Sequence, residues 1–164
     1  MTQMSGSTIL KLVASVLFCQ AAGLLGALAT TPSIGGWFKG LVKPSFNPPN
    51  WIFGPVWTTL YLMMGVALFL VWRRGLKTAG VKAALVLFLI QLALNVLWSV
   101  LFFGLHQPAP AFFEIAALWV FILLTMLKFF GLSRPAGWLL FPYLLWVSFA
   151  SVLNFFLWRL NLGR

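Results

Sequence analysis

Acidic side chains are almost missing from this chain: Glu114 is the only one among 164 residues, against eleven Lys and Arg. Histidine and cysteine also occur once each, as His106 and Cys19. These scarcities exclude whole classes of chemistry. Two-carboxylate catalysis, a Ser-His-Asp triad and a metal centre built from several His, Asp or Glu ligands all lack their parts. A lone cysteine inside an apolar run is neither a disulfide framework nor a metal cluster. No glycine-rich phosphate loop follows a strand, because no segment reads convincingly as a strand. Charged residues of both signs make up only 7% of the chain, whereas a soluble domain carries about 25%.

What the chain has instead is apolar length. Apolar residues account for 62%, and the mean hydropathy is +1.02. Five apolar runs fall at about 9–29, 51–72, 81–103, 109–130 and 137–158. A bilayer core about 30 Å thick needs ~20 apolar residues at ~1.5 Å rise each, and every run meets that length. The expected fold class is all-α: a polytopic membrane protein, one domain over 1–164, folded as a bundle of five transmembrane helices. A soluble helical core would need polar outer faces. The run 81–103 offers only Lys82, Gln91, Asn95 and Ser99 as plainly polar side chains.

A net charge of +10 would point to nucleic acid in a soluble protein. Here the bases cluster at the ends of the apolar runs. Lys39 and Lys43 lie in the first joint; Arg73, Arg74, Lys77 and Lys82 in the second; Arg134 in the fourth; Arg159 and Arg164 close the chain, and Lys11 and Lys128 lie near run ends. Such side chains snorkel to headgroups and attract anionic lipid, so membrane lipid, not nucleic acid, is the partner. With five crossings, the bases on the side of the N-terminus outnumber those on the other by seven to four. That bias favours a cytoplasmic N-terminus, and the basic C-terminal tail opposes it. The first run is longer than a signal-peptide core and lacks a charged segment ahead of it, so it reads as a retained helix.

The first helix carries small residues at four-residue steps, Ser15, Cys19, Gly23 and Ala27, which let helix backbones approach closely in lipid. The joint at 30–50 is long for a compact protein, and such loops are functional or disordered. Disorder would waste Ile34, Trp37, Phe38, Leu41, Val42 and Phe46 in water, so the joint is expected to fold as a lid over one end of the bundle. Asn47 is expected to cap the second helix, with Pro48 at its first position. The third joint (104–108) and the fourth (133–135) are short and force antiparallel neighbours. His106 reads as a solvated joint residue. Glu114 lies about 9 Å into its helix, where an ionisable group faces a bundle interior or a wet cavity; an interhelical contact and a functional role fit it equally.

Aromatic residues are abundant, with nine Trp and seventeen Phe. Trp72, Trp138 and Trp158 sit at run ends and read as interfacial anchors. Trp57, Trp98, Trp119 and Trp146 lie deeper. Phe53, Trp57 and Tyr61 share one face at i, i+4, i+8; Gln91, Asn95, Trp98 and Phe102 form a second stripe; Trp146, Ala150 and Asn154 form a third, with Ser148 and Ser151 nearby. Amides inside lipid need partners, so these faces point inward. Amides and a small residue among indoles describe a pocket for a flat, mostly apolar ligand, although such stripes more often serve packing.

Three segments resemble one family: K-P-S-F-N-P-P-N-W-I-F-G-P-V-W-T-T-L-Y at 43–61, L-N-V-L-W-S-V-L-F-F-G at 94–104, and P-Y-L-L-W-V-S-F-A-S-V-L-N-F-F-L-W-R-L-N at 142–161. The chain resembles, over essentially its whole length, the TspO/MBR family of tryptophan-rich sensory and translocator proteins, which includes the peripheral benzodiazepine receptor. The resemblance implies a five-helix bundle, often a homodimer, that binds porphyrins and other tetrapyrroles, sterols and isoquinoline-type drugs in a pocket under the first joint. It implies a lining of Trp37, Phe38, Pro48, Trp51, Phe53, Trp57, Tyr61, Asn95, Trp98, Trp146 and Ala150. It makes Trp57 and Trp146 the candidate residues for light-dependent breakdown of protoporphyrin. No metal and no obligatory cofactor are implied; a porphyrin is the expected ligand.

Two departures stand out. Phe46 replaces the family's usual tryptophan ahead of the Pro-Pro pair. The segment 153–159 lacks the tyrosine of the animal sterol motif, which disfavours a specific cholesterol site and favours a bacterial, tetrapyrrole-binding relative. Helical apolar runs suit the inner membrane, while the resemblance leaves the outer membrane open. Three functions fit: a sensor or transporter for porphyrin-like ligands, a light-dependent porphyrin-degrading enzyme, and a scaffold whose tryptophans only pack.

Overall fold

A computed structural model describes residues 6–163; Arg164, counted above in the basic tail, lies outside the described residues. Helix α1 spans Gly6–Ile34, the short α2 Trp37–Gly40, α3 Asn50–Trp72, α4 Val81–Ser99, α5 Pro108–Leu132 and α6 Arg134–Leu160. A π-helical turn, Val100–Gly104, continues α4. Among the described residues five helices, counting α4 with its π turn as one, are long and apolar enough to cross a membrane, as the five runs lead one to expect.

The two boundaries that flank the first joint differ from the sequence reading. α1 does not stop at residue 29 but continues through Pro32 to Ile34. Proline removes one ladder donor, and so near the helix end the loss is confined to one carbonyl. The last turn is held from outside, because Ser33 Oγ donates to the carbonyl of Phe103 at 2.6 Å. The lid therefore begins later than expected and contains a helical turn of its own, α2. The second correction concerns Asn47 and Pro48. α3 starts at Asn50, Pro49 occupies the capping position with ψ 140°, and no side chain caps it. A residue before proline is driven out of the α region; Pro48 precedes Pro49 and so cannot open a helix. Asn47 Nδ2 instead donates to the carbonyl of Pro48.

The helices pack in a ring: α1 against α3, α3 against α6, α6 against α5, α5 against α4, and α4 back against α1. The single residue Ser133, in extended conformation, separates α5 from α6 and makes them antiparallel neighbours. The α1–α3 contact is close because Gly65 has no side chain; a Cβ there would lie 2.6 Å from the Cα of Val16. One core cluster runs along the bundle, including Met64, Phe88, Ile122, Phe129 and Tyr143, with Phe88 and Phe129 stacked at 5.7 Å and 8°. A second lies under the first joint and contains Phe38, Phe102, Phe103, Ala111, Leu153 and Leu157. Between the two, the ring is left partly unfilled.

Candidate functional site

The unfilled region is a cavity of about 410 Å³, walled by α1, α3, the end of α4 and α6, with Phe38 among its lining residues. Helical spacing builds each wall. Phe53, Trp57 and Tyr61 recur every four residues, so one face of α3 presents all three. Trp98 and Phe102 stack at 5.2 Å and 21° on α4 and its π turn. Trp146, Ala150 and Asn154 form the α6 wall. Phe53 meets Trp146 edge-on at 5.9 Å, and Trp57 lies 5.7 Å from Tyr61 at 31°. α1 contributes Gly23, Gly26 and Ala27 beside larger residues such as Gln20, Leu24 and Ile34.

Several polar groups on the wall are already engaged. Trp98 Nε1 donates to Asn154 Oδ1 at 3.0 Å, and Asn154 Nδ2 donates to the carbonyl of Pro108 at 2.8 Å. Gln20 Nε2 donates to the carbonyl of Thr58, and the hydroxyls of Thr30 and Thr58 donate back into their own helices. The buried wall atom left without a hydrogen-bond partner among the described residues is Trp146 Nε1. A buried N–H without an acceptor is costly.

The structure brings most of the expected site residues together. Phe38, Trp51, Phe53, Trp57, Tyr61, Trp98, Trp146 and Ala150 all line the cavity. Trp51 is 73% exposed and so stands at its outer edge. Trp37, Pro48 and Asn95 are not on its wall. Trp37 stacks on His106 at 4.4 Å and meets Phe102 edge-on at 5.6 Å. Pro48 belongs to the extended approach to α3, outside the helical face that reaches inward. Asn95 is only 2% exposed; its Oδ1 accepts from the Tyr61 hydroxyl, and its Nδ2 donates to the Tyr143 hydroxyl at 2.9 Å. It ties α3, α4 and α6 behind the cavity wall.

The sequence reading named no lining residue on α1. Its stripe of small residues was explained by packing, and packing does use it: Ser15, Cys19, Ala22 and Gly26 are buried. The adjacent Gly23 and Ala27 leave the volume that the aromatic walls enclose. Glu114 is not on the wall; both its carboxyl oxygens are buried without a partner among the described residues, as are both amide atoms of Gln91. His106 is exposed as expected of a joint residue, yet it is held on two sides, by Trp37 and by Ser33.

A model described as the TspO/MBR family matches residues 15–159. The chain belongs to the TspO/MBR family. The match includes every residue that lines the cavity. The chain is 49% identical over 153 residues to a tryptophan-rich protein TspO of Chlorobaculum tepidum, covering 93% of this chain and 97% of that one. It is 39% identical over 151 residues to a tryptophan-rich sensory protein of Cereibacter sphaeroides, covering 90% and 93%. It is 41% identical over 128 residues to the human translocator protein, covering 77% and 76%. Membership of the TspO/MBR family, together with five apolar helices, makes this a multi-pass membrane protein and supports a sensor or transporter role.

Proposed function

We propose that the cavity binds porphyrin-like and other flat, largely apolar ligands, and that ligand occupancy is what the protein senses or transports. The observation that carries this reading is the convergence of Trp57, Tyr61, Trp98 and Trp146 on one space between transmembrane helices. Its volume, about 410 Å³, falls within the roughly 300–1,000 Å³ of small-molecule sites. Indole and phenol rings supply broad faces for a planar macrocycle. Titrating the purified protein with protoporphyrin in darkness, while following tryptophan fluorescence, tests the reading; absence of saturable quenching would leave the tryptophans as packing residues in a scaffold.

A second reading is favoured by one further observation: Trp57 and Trp146, the two candidates for light-dependent porphyrin breakdown, line the same cavity. A pigment bound there would touch two readily oxidised indoles. Illumination after the dark titration separates the two readings. A spectrum that stays constant under light leaves sensing or transport; progressive loss of the porphyrin bands that requires the protein favours degradation.

A further inference from the structure

His106 is out of the cavity, on the turn between α4 and α5, and has a positive φ of 56°. A side chain in that conformation is uncommon outside glycine, which draws attention to what the imidazole does there. It reaches across to α1 and α2. Its Nε2 lies 3.1 Å from Ser33 Oγ, and its ring lies flat on the Trp37 indole, 4.4 Å away at 15°. Ser33 Oγ has one hydrogen and places it on the carbonyl of Phe103 at 2.6 Å. Its contact with His106 is therefore an accepting one, and Nε2 carries the donated hydrogen.

Trp37 is the residue immediately before Phe38, and Phe38 is the α2 side chain that lines the cavity. Phe38 is 3% exposed and packs on Phe102 and Phe103 at 6.3 and 5.5 Å. The turn itself is weakly held by its own backbone, since Gly40 N–H to Gly36 and Leu41 N–H to Phe38 both span 3.4 Å. Its position thus depends on side chains from outside. At the far end, Asn161 grips the backbone of Val42 from both sides, accepting its N–H at 2.9 Å and donating to its carbonyl at 3.0 Å. At the near end the corresponding grip is His106.

We infer that His106, through Ser33 and Trp37, is the latch that holds Phe38 over the cavity and sets the rate at which ligand enters and leaves. His106 is a positioning residue; it touches neither the cavity nor anything in it. The inference rests on the ligand-binding reading for its consequence and on contacts within the protein for its mechanism.

The test uses the full chain in detergent and two variants, His106→Asn and Ser33→Ala. Asparagine tolerates positive φ, so the first variant keeps the turn and loses the stacked ring. The second keeps the imidazole and loses its acceptor. Hydrogen exchange at the amides of residues 37–42 should accelerate roughly fivefold or more in both variants, the effect of losing one modest contact, with exchange in the long helices unchanged. Protoporphyrin, added in darkness, should associate and dissociate faster in both variants, with the equilibrium constant changing less than either rate. Unchanged exchange at 37–42 in both variants overturns the inference. So does acceleration spread evenly over the whole bundle, which would make His106 a general stabilising residue. If the wild type binds no porphyrin while exchange at 37–42 accelerates as expected, the ligand reading fails and the latch stands.

Discussion

The ring of Tyr61 lies directly on the bare Cα of Gly23: a Cβ added to that glycine would come within 2.6 Å of both Tyr61 Cδ2 and Cε2. The contact joins α1 to α3 at the cavity wall, where both residues are exposed to the same space. Tyr61 cannot simply swing aside, since its hydroxyl is bonded to Asn95 and its ring lies 5.7 Å from Trp57. Gly23→Ala would gain about 1 kcal/mol of helix propensity and lose about 1–3 kcal/mol to overpacking. The expected outcome is a lower thermal midpoint together with weaker dark binding of protoporphyrin. An unchanged midpoint with unchanged binding would show that α1 can move away from α3 without cost.

Asn95 gives a prediction of a different kind. Its amide satisfies two buried hydroxyls, those of Tyr61 and Tyr143, and Asn95→Leu leaves both without their partner. Each such group costs about 1–3 kcal/mol when buried. The single variant should therefore melt well below the wild type. Combining it with Tyr61→Phe and Tyr143→Phe removes the stranded hydroxyls and should recover much of the loss. Because Asn95 does not line the cavity, the folded triple variant should lose little affinity beyond what Tyr61→Phe alone costs. Melting curves of the single, double and triple variants check this; failure of the triple variant to recover would mean that Asn95 matters for shape and not for its hydrogen bonds.

The five crossings could be read before any coordinates because lipid demands long uninterrupted apolar helices, and nothing else in this composition could cover a soluble surface. The inward faces of α3 and α6 were legible for a related reason: residues at i and i+4 share a side, so Phe53, Trp57 and Tyr61 had to point together. Other features were not legible. Asn95 and Trp98 are close on one helix face, and only the positions of Tyr61 and Tyr143 decide that the amide turns to them. The space beside Gly23 and Ala27 is an absence of side chain, and a small residue looks the same in sequence whether a neighbour or a ligand fills the gap. The end of α1 was not legible either, because the bond from Ser33 to Phe103 that holds its last turn spans seventy residues of sequence.

Loss of the indole N–H should cost more at Trp98 than at Trp146. Trp98 donates to Asn154, which in turn holds the start of α5 at Pro108. Trp98→Phe therefore breaks a two-step link between α4, α6 and α5. Trp146 has no such partner among the described residues, so Trp146→Phe removes no hydrogen bond seen in the structure. Trp98→Phe should cost about 1–3 kcal/mol from the stranded acceptor and the smaller ring, and Trp146→Phe less. Thermal midpoints of the two variants without ligand measure the difference. Equal losses would imply that the Trp146 N–H has an unseen partner such as a buried water.

The α3 and α6 faces of the cavity support a photochemical test. Trp57 on α3 and Trp146 on α6 line one space, and Phe53 of α3 lies edge-on to Trp146 at 5.9 Å. A planar pigment in that space could stack on either indole, and phenylalanine would still offer a stacking face. Phenylalanine is far harder to oxidise than tryptophan, so the substitution separates binding from electron loss. Trp57→Phe and Trp146→Phe should each keep much of the dark affinity for protoporphyrin. Under illumination, both variants should lose most of any protein-dependent change in the porphyrin spectrum. The measurement is the absorption spectrum of bound protoporphyrin followed over time for the wild type and both variants at equal occupancy. Equal spectral change in all three would remove these indoles from the photochemistry and leave ligand binding as the role of the cavity.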